Sequence, residues 1–142
     1  MTKKPNYRFS GHETFPCRYA WLPKAVMAIQ RSPGILSDEN EAMVELGVGK
    51  NMVRAIRFWA TASGVAENCG RDGWKTTPFG KALLGEGGLD PYLEDTQTLW
   101  LLHWKLATQF QEPLFAWDYL LNRWHDPEIT RSAALVAFDK EA

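Results

Sequence analysis

The segment from Gly49 to Gly64, Gly-Lys-Asn-Met-Val-Arg-Ala-Ile-Arg-Phe-Trp-Ala-Thr-Ala-Ser-Gly, carries two periodic patterns at once. Met52, Val53, Ile56, Trp59 and Ala60 recur at helical spacing and form an apolar stripe. Lys50, Arg54, Arg57 and Thr61 recur at i, i+4, i+7 and i+11, so they stack on another face of the same helix. Such a helix needs a core on one side and leaves a cationic strip on the other.

Its flanks narrow the fold further. Upstream, Ser37 reads as the N-cap of a short helix whose first turn holds Asp38, Glu39 and Glu41, suited to the positive end of the helix dipole. That helix ends at Gly47, and Gly47-Val48-Gly49 is the turn. Downstream, Gly64 is a natural C′ residue. Two strand-like stretches, 65–68 and 74–77, then flank Gly70-Arg71-Asp72-Gly73, a strong hairpin signal. Helix, turn, basic helix and basic hairpin together predict a winged helix-turn-helix over residues 37–85. Thr77-Pro78 reads as N-cap and N1 of a closing helix, 79–84.

Residues 1–36 are expected to form an arm and a first helix. Tyr7 to Pro16 has no helical period and reads as an extended, ordered arm; a helix starts around Trp21 and stops at Ser32-Pro33-Gly34. Residues 86–142 read as a C-terminal helical cluster. Asp90-Pro91 is expected to open a helix to about Thr108, with a break near Thr96 or Thr98, and Glu112-Pro113 another to about Trp124. Thr130 is a cap for a last helix, Arg131 to Phe138. The fold class is therefore mainly α, one compact domain with a single small hairpin.

The chain has 142 residues, 45% of them hydrophobic and 13% aromatic, enough for a core without disulfides or metal. Two cysteines, Cys17 and Cys69, and no apolar run near the ~20 residues of a membrane span point to a cytoplasmic protein. Net charge is −1, but residues 48–85 carry six basic and two acidic groups, whereas residues 86–128 carry two basic and eight acidic ones. A basic middle beside an acidic helical part makes a partner-binding face worth seeking.

The chemistry of the basic middle suits DNA. Lys50, Arg54 and Arg57 reach guanine edges or phosphates, Asn51 an adenine edge, and Arg71 and Lys75 the flanking backbone. The plain alternative is a solvated face and a structural hairpin, and winged helices also bind proteins. His12 beside Glu13 is a weak candidate for a metal ligand or proton shuttle; otherwise the arm is a structural clamp with His12 hydrogen-bonded. Asp90, Glu94 and Asp95 are weak candidates for holding Mg²⁺ or Mn²⁺, or else they cap a helix. Trp100 with Trp104, and Trp117 with Trp124, read as packed core rather than a stacking platform for single strands. His103 reads as core or boundary and His125 as surface; neither cysteine has a neighbouring base.

Three ordered motifs carry a resemblance. They are Phe9-Ser10-Gly11-His12-Glu13-Thr14-Phe15 with Arg18, Trp21-Leu22 and Lys24; Leu46 to Val53 with Ile56-Arg57-Phe58-Trp59; and Asp90 to Asp95 with Thr98 to Trp104. Together they resemble a bacterial family of domains of unknown function found in DNA phosphorothioation (Ssp) gene clusters. The resemblance implies an SspB-like DNA-nicking component that opens one strand for sulfur insertion in an anti-phage modification system. It also implies that this chain matches the N-terminal half, with catalysis lying in the other half or here, and no catalytic residue is assigned by it. The implied partners are DNA and the cysteine desulfurase, ATPase and sulfurtransferase of the same clusters. Two other classes stay open: a winged-helix regulator without enzymology, and an assembly module docking through acidic helices, with or without a homodimer.

Overall fold

The structure is a computed structural model and describes residues 5–141; residues 1–4, the start of the expected arm, and Ala142 lie outside the described residues. Its first helix, α1 (Trp21–Arg31), buries Trp21, Leu22, Ala25, Val26, Ala28 and Ile29. Pro23 sits in its first turn, where a missing N–H costs nothing. α2 (Glu39–Leu46) is capped by Asp38, whose carboxylate accepts from the Glu41 amide, and not by Ser37 as expected. The difference is one residue, because Asp38 itself takes the extended conformation a cap needs. Gly47 closes α2 in the left-handed conformation and α3 (Lys50–Ala62) begins after Gly49.

β1 (Ala66–Asn68) and β2 (Trp74–Thr76) pair antiparallel, with Ala66 opposite Thr76 and Asn68 opposite Trp74. A single 3₁₀ turn, Gly70–Asp72, joins them. Thr77 caps α4 (Pro78–Leu84) by accepting from the Gly80 amide, with Pro78 in the first turn as expected. The hairpin is fastened to the turn after α1 at the Trp74 amide, which donates to the Pro33 carbonyl at 2.8 Å. One core joins α1, α2, α3, the hairpin and α4, with Ala25, Val26, Leu36, Val53, Ile56 and Leu84 shut from solvent.

The C-terminal part departs from expectation at its start. Asp90-Pro91 does not open a helix: residues 90–95 form turns, and α5 (Thr96–Ala107) begins after Asp95, whose side chain accepts from the Gln97 amide. The break expected near Thr96 is the helix start. Asp90 is drawn inward instead, as described below. Glu112-Pro113 likewise precedes the next helix by a residue, since Pro113 and Leu114 are held by the arm. α6 (Phe115–Asp118) continues into a π-helical turn, Tyr119–Arg123, and α7 (Arg131–Glu141) starts behind Thr130, whose hydroxyl accepts from the Ala133 amide. Among the described residues no helix is long and apolar enough to cross a membrane.

Trp100 and Trp104 are not core. They are 68% and 59% exposed on α5, next to partly open Leu99 and Leu101. α5 is apolar on every side, and the protein covers only the side bearing Thr98 and Leu102. His103 is exposed with them, as is His125, the latter as expected. Trp117 does pack inward, edge-on to Trp59 with ring centroids 5.9 Å apart.

The junction of β1 and α4 leaves no room for a side chain at Gly80, where a Cβ would fall on the Val65 carbonyl. Gly80→Ala is therefore expected to cost about 3 kcal/mol, the range of severe overpacking, read from the urea midpoint. Gly34→Ala, whose added methyl meets open space, is expected to leave that midpoint nearly unchanged.

Candidate nucleic-acid interface

α3 positions the candidate residues because almost everything else on it is buried. Val53, Ala55, Ile56, Phe58, Trp59, Ala60 and Ala62 all face protein. Lys50, Asn51 and Arg54 are exposed on its first turns, while Arg57 and Thr61 lie half-buried further along. Arg71 and Lys75 are exposed on the hairpin, and among the described residues neither enters an ion pair.

Sequence reasoning missed what the cations face. Glu39, on the first turn of α2, receives the Arg54 Nε at 2.8 Å, the Lys50 Nζ at 3.6 Å and the Arg57 Nη1 at 3.7 Å. The Arg54 hydrogen bond, with the charges of Arg54, Lys50 and Arg57, holds the Glu39 carboxyl below its ordinary range. The same pair raises Arg54 above the usual guanidinium value. One carboxylate among three cations leaves the group positive and sets the orientation of their side chains. Three acids, Asp38, Glu39 and Glu41, crowd that turn, and nothing in the sequence singles out Glu39 as the one that meets the cations.

The arm crosses α3. Its Arg8 forms a parallel bridge with Leu114, the Arg8 amide donating to Pro113 and the Phe115 amide to Arg8. The Arg8 guanidinium lies 4.3 Å from the Phe58 ring centre and donates to the Thr61 hydroxyl at 3.2 Å. The Trp59 indole N–H donates to the Phe15 carbonyl at 2.9 Å. Gly11 passes so close to Phe58 that a Cβ would lie 2.8 Å from its ring, and at φ 123° it has a backbone few other residues adopt. Residues 12–15 make a tight turn, the Phe15 amide donating to the His12 carbonyl, with Glu13 and Thr14 both at positive φ.

His12 corrects an expectation. Its ring sits edge-on to Phe58 and stacked on Trp59, but its Nδ1 is buried without a hydrogen-bond partner. Ring packing holds it there. Glu13, the other half of the pair, is exposed on the turn. Between the arm and α5 lies an apolar cavity of about 540 Å³, lined by His12, Phe15, Cys17, Trp59, Leu102 and Trp117 among others. Burial pushes the Cys17 thiol up to about 11, although the residue as a whole is open to solvent, so it stays protonated near neutrality.

The acidic triplet is spent on local structure. Asp90 accepts from the Glu94 amide at 2.9 Å and the Asp95 amide at 3.0 Å. The Thr98 hydroxyl first, then these two amides, hold its carboxyl below the ordinary range. Asp95 is the α5 cap. Among the described residues no three of His, Cys, Asp and Glu gather as a metal would need. With Asp90 and Asp95 turned to backbone amides, these residues do not fit a metal centre.

Asp90 generates a pH prediction. Its carboxyl titrates lower folded than unfolded, so its stabilisation is present above the unfolded value of about 3.9 and is lost as pH falls through the folded value. Asp90→Asn is expected to lower the melting temperature at pH 7 and to flatten its decline below about pH 4. An unchanged acid limb in thermal melts would contradict this.

Comparison with known proteins adds the following. Among curated proteins none matches the chain. Two crystal structures of SspB do: a magnesium-bound one with TM-score 0.83 and 33% identity, and another with TM-score 0.84 and 32% identity. They cover 95% and 96% of this chain but only 42% and 43% of the SspB chains, so it spans about two fifths of their length. Over that span the chain is an SspB-like domain. Residues 9–142 match the model of the family described as Protein of unknown function (DUF4007), and the chain belongs to that family.

Proposed function

We propose that this chain is a DNA-binding domain of a DNA phosphorothioation-system protein, with α2, its turn and α3 acting as a helix-turn-helix and the hairpin as its wing. The single observation that carries the reading is the strip of cations left open on α3 while the rest of that helix is buried. The order α1-α2-α3-β1-β2, with the hairpin directly after α3, supports the winged-helix description. Lys50, Asn51 and Arg54 supply contacts to bases or phosphates, and Arg71 and Lys75 supply positioning contacts to backbone. The likeness to SspB supports the link to phosphorothioation, and the strand nicking that the resemblance implies lies either in this chain or in the part of an SspB-length protein that it does not cover. Cytoplasmic residence follows from that role.

The test is fluorescence anisotropy with a labelled duplex over a salt series. Replacing Lys50 and Arg54 by Gln is expected to weaken binding about tenfold or more and to reduce the salt slope by roughly one per lost phosphate contact. Arg71→Ala with Lys75→Ala is expected to weaken all duplex sequences about equally. Unchanged affinity and slope in the first variant would sink the reading. A loss confined to one duplex sequence in the second would put the hairpin at base edges.

A further inference from the structure

We infer that Arg57, which lines the polar cleft where the arm crosses α3, is a receptor for a phosphate oxyanion, taken by its Nε–H and Nη2–H edge once the side chain turns into that cleft. The inference rests on the DNA-binding reading for the source of the phosphate, a polynucleotide backbone.

The observation is an accounting one. Among the described residues, the buried side-chain polar atoms without a hydrogen-bond partner are three: Arg57 Nε, Arg57 Nη2 and His12 Nδ1. All three belong to the crossing of arm and α3, where His12 packs on Phe58, the neighbour of Arg57. A buried N–H on a cation that donates to nothing is costly, and buried polar groups are ordinarily paired. Here two such groups share one edge of one guanidinium, the edge whose parallel N–H bonds match two oxygens of a phosphate or carboxylate. The other side is already engaged, since Nη1 faces Glu39 at 3.7 Å.

The surroundings favour phosphate in series. A cleft of about 810 Å³ is lined by Arg54, Arg57, Thr61 and Arg8, with Asn68 and Gln109 opposite. Arg54, Arg57 and the Thr61 that holds Arg8 follow one another at single-turn intervals along α3. Three guanidinium groups in a row suit the repeating charge of a polynucleotide better than a lone carboxylate. Glu67 and Glu112 also line the cleft, Glu112 acting on Arg8, and they leave the Arg57 edge to the incoming anion.

That edge is closed to water in the free protein, with the Arg57 side chain 22% exposed overall. Phosphate therefore reaches it when the side chain turns outward or the arm shifts.

The experiment has two parts on the whole chain. Arg57→Lys keeps the charge towards Glu39 and removes the fork; with an unchanged circular-dichroism melt it is expected to weaken duplex binding about tenfold. In the wild-type chain, the Arg57 Nε–H signal in a nitrogen-correlated spectrum is followed while duplex, inorganic phosphate or a poly-glutamate peptide is added. Movement with duplex and with phosphate supports the receptor. Movement with phosphate alone, in a chain that binds no duplex, also supports it while removing the DNA-binding reading. Duplex binding that is intact in Arg57→Lys, with an unmoved Nε–H signal, overturns the receptor and leaves DNA binding standing. A response to poly-glutamate alone overturns it in favour of an acidic protein partner.

Discussion

Burial of α3 on nearly every side is the constraint from which the site follows. A helix that gives seven of its thirteen residues to protein contacts has one strip of surface left. The side chains that stand on that strip are Lys50, Arg54, Arg57 and Thr61. Long basic side chains tolerate such a place because their stems pack while their heads reach solvent. α1, α2 and the hairpin cover α3 from one side and the arm from the other, so the strip is framed by the fold.

The charges on the strip would repel one another if nothing intervened. Glu39 intervenes from α2, and in doing so links the two helices across their turn. These are exposed or half-exposed pairs, so their contribution to stability is small and falls with salt. Their larger effect is positional. A carboxylate set among three cations gathers them on one side of α3, and the group still has net positive charge. Electrostatic attraction to a duplex would loosen Glu39's hold on Arg54 as the phosphates take over its partner.

Much of this was legible in the sequence, and the legible parts share a cause. Thr77-Pro78, Gly47, Asp72-Gly73 and the stripe on α3 are local signals, set by backbone geometry and period within a few residues. The α3 basic strip could be read for the same reason. What could not be read is long-range. Nothing near Arg54 in sequence announces Glu39 fifteen positions earlier as its partner, nor Arg8 as a neighbour of Thr61. Asp90 shows the limit of a local rule: Asp before Pro has the look of a cap, yet its carboxylate turns back onto the amides of Glu94 and Asp95, and the helix waits for Asp95. Trp100 and Trp104 show the limit of composition. Period and hydrophobicity say that α5 is a helix, but a helix apolar all round does not declare which side the rest of the protein will cover.

The acidic C-terminal part has a reading different from the one its net charge suggests. Four of its eight carboxylates are committed to structure: Asp90 and Asp95 to amides, Asp118 to the Tyr7 hydroxyl and Asn122, Asp126 to the Glu128 amide. Glu112 stands beside Arg8. Half of the negative charge in this part is therefore already turned to holding its own backbone and loops in place. What the same region does gather is apolar: Leu99, Trp100, Leu101 and Trp104 stand open along α5. Exposed aromatic clusters of this kind are the usual centres of protein contacts, where charge contributes at the rim. The basic strip and this apolar face therefore differ in kind: the first is ordered by its charges around Glu39, the second is a row of aromatic and aliphatic side chains that the described residues leave uncovered.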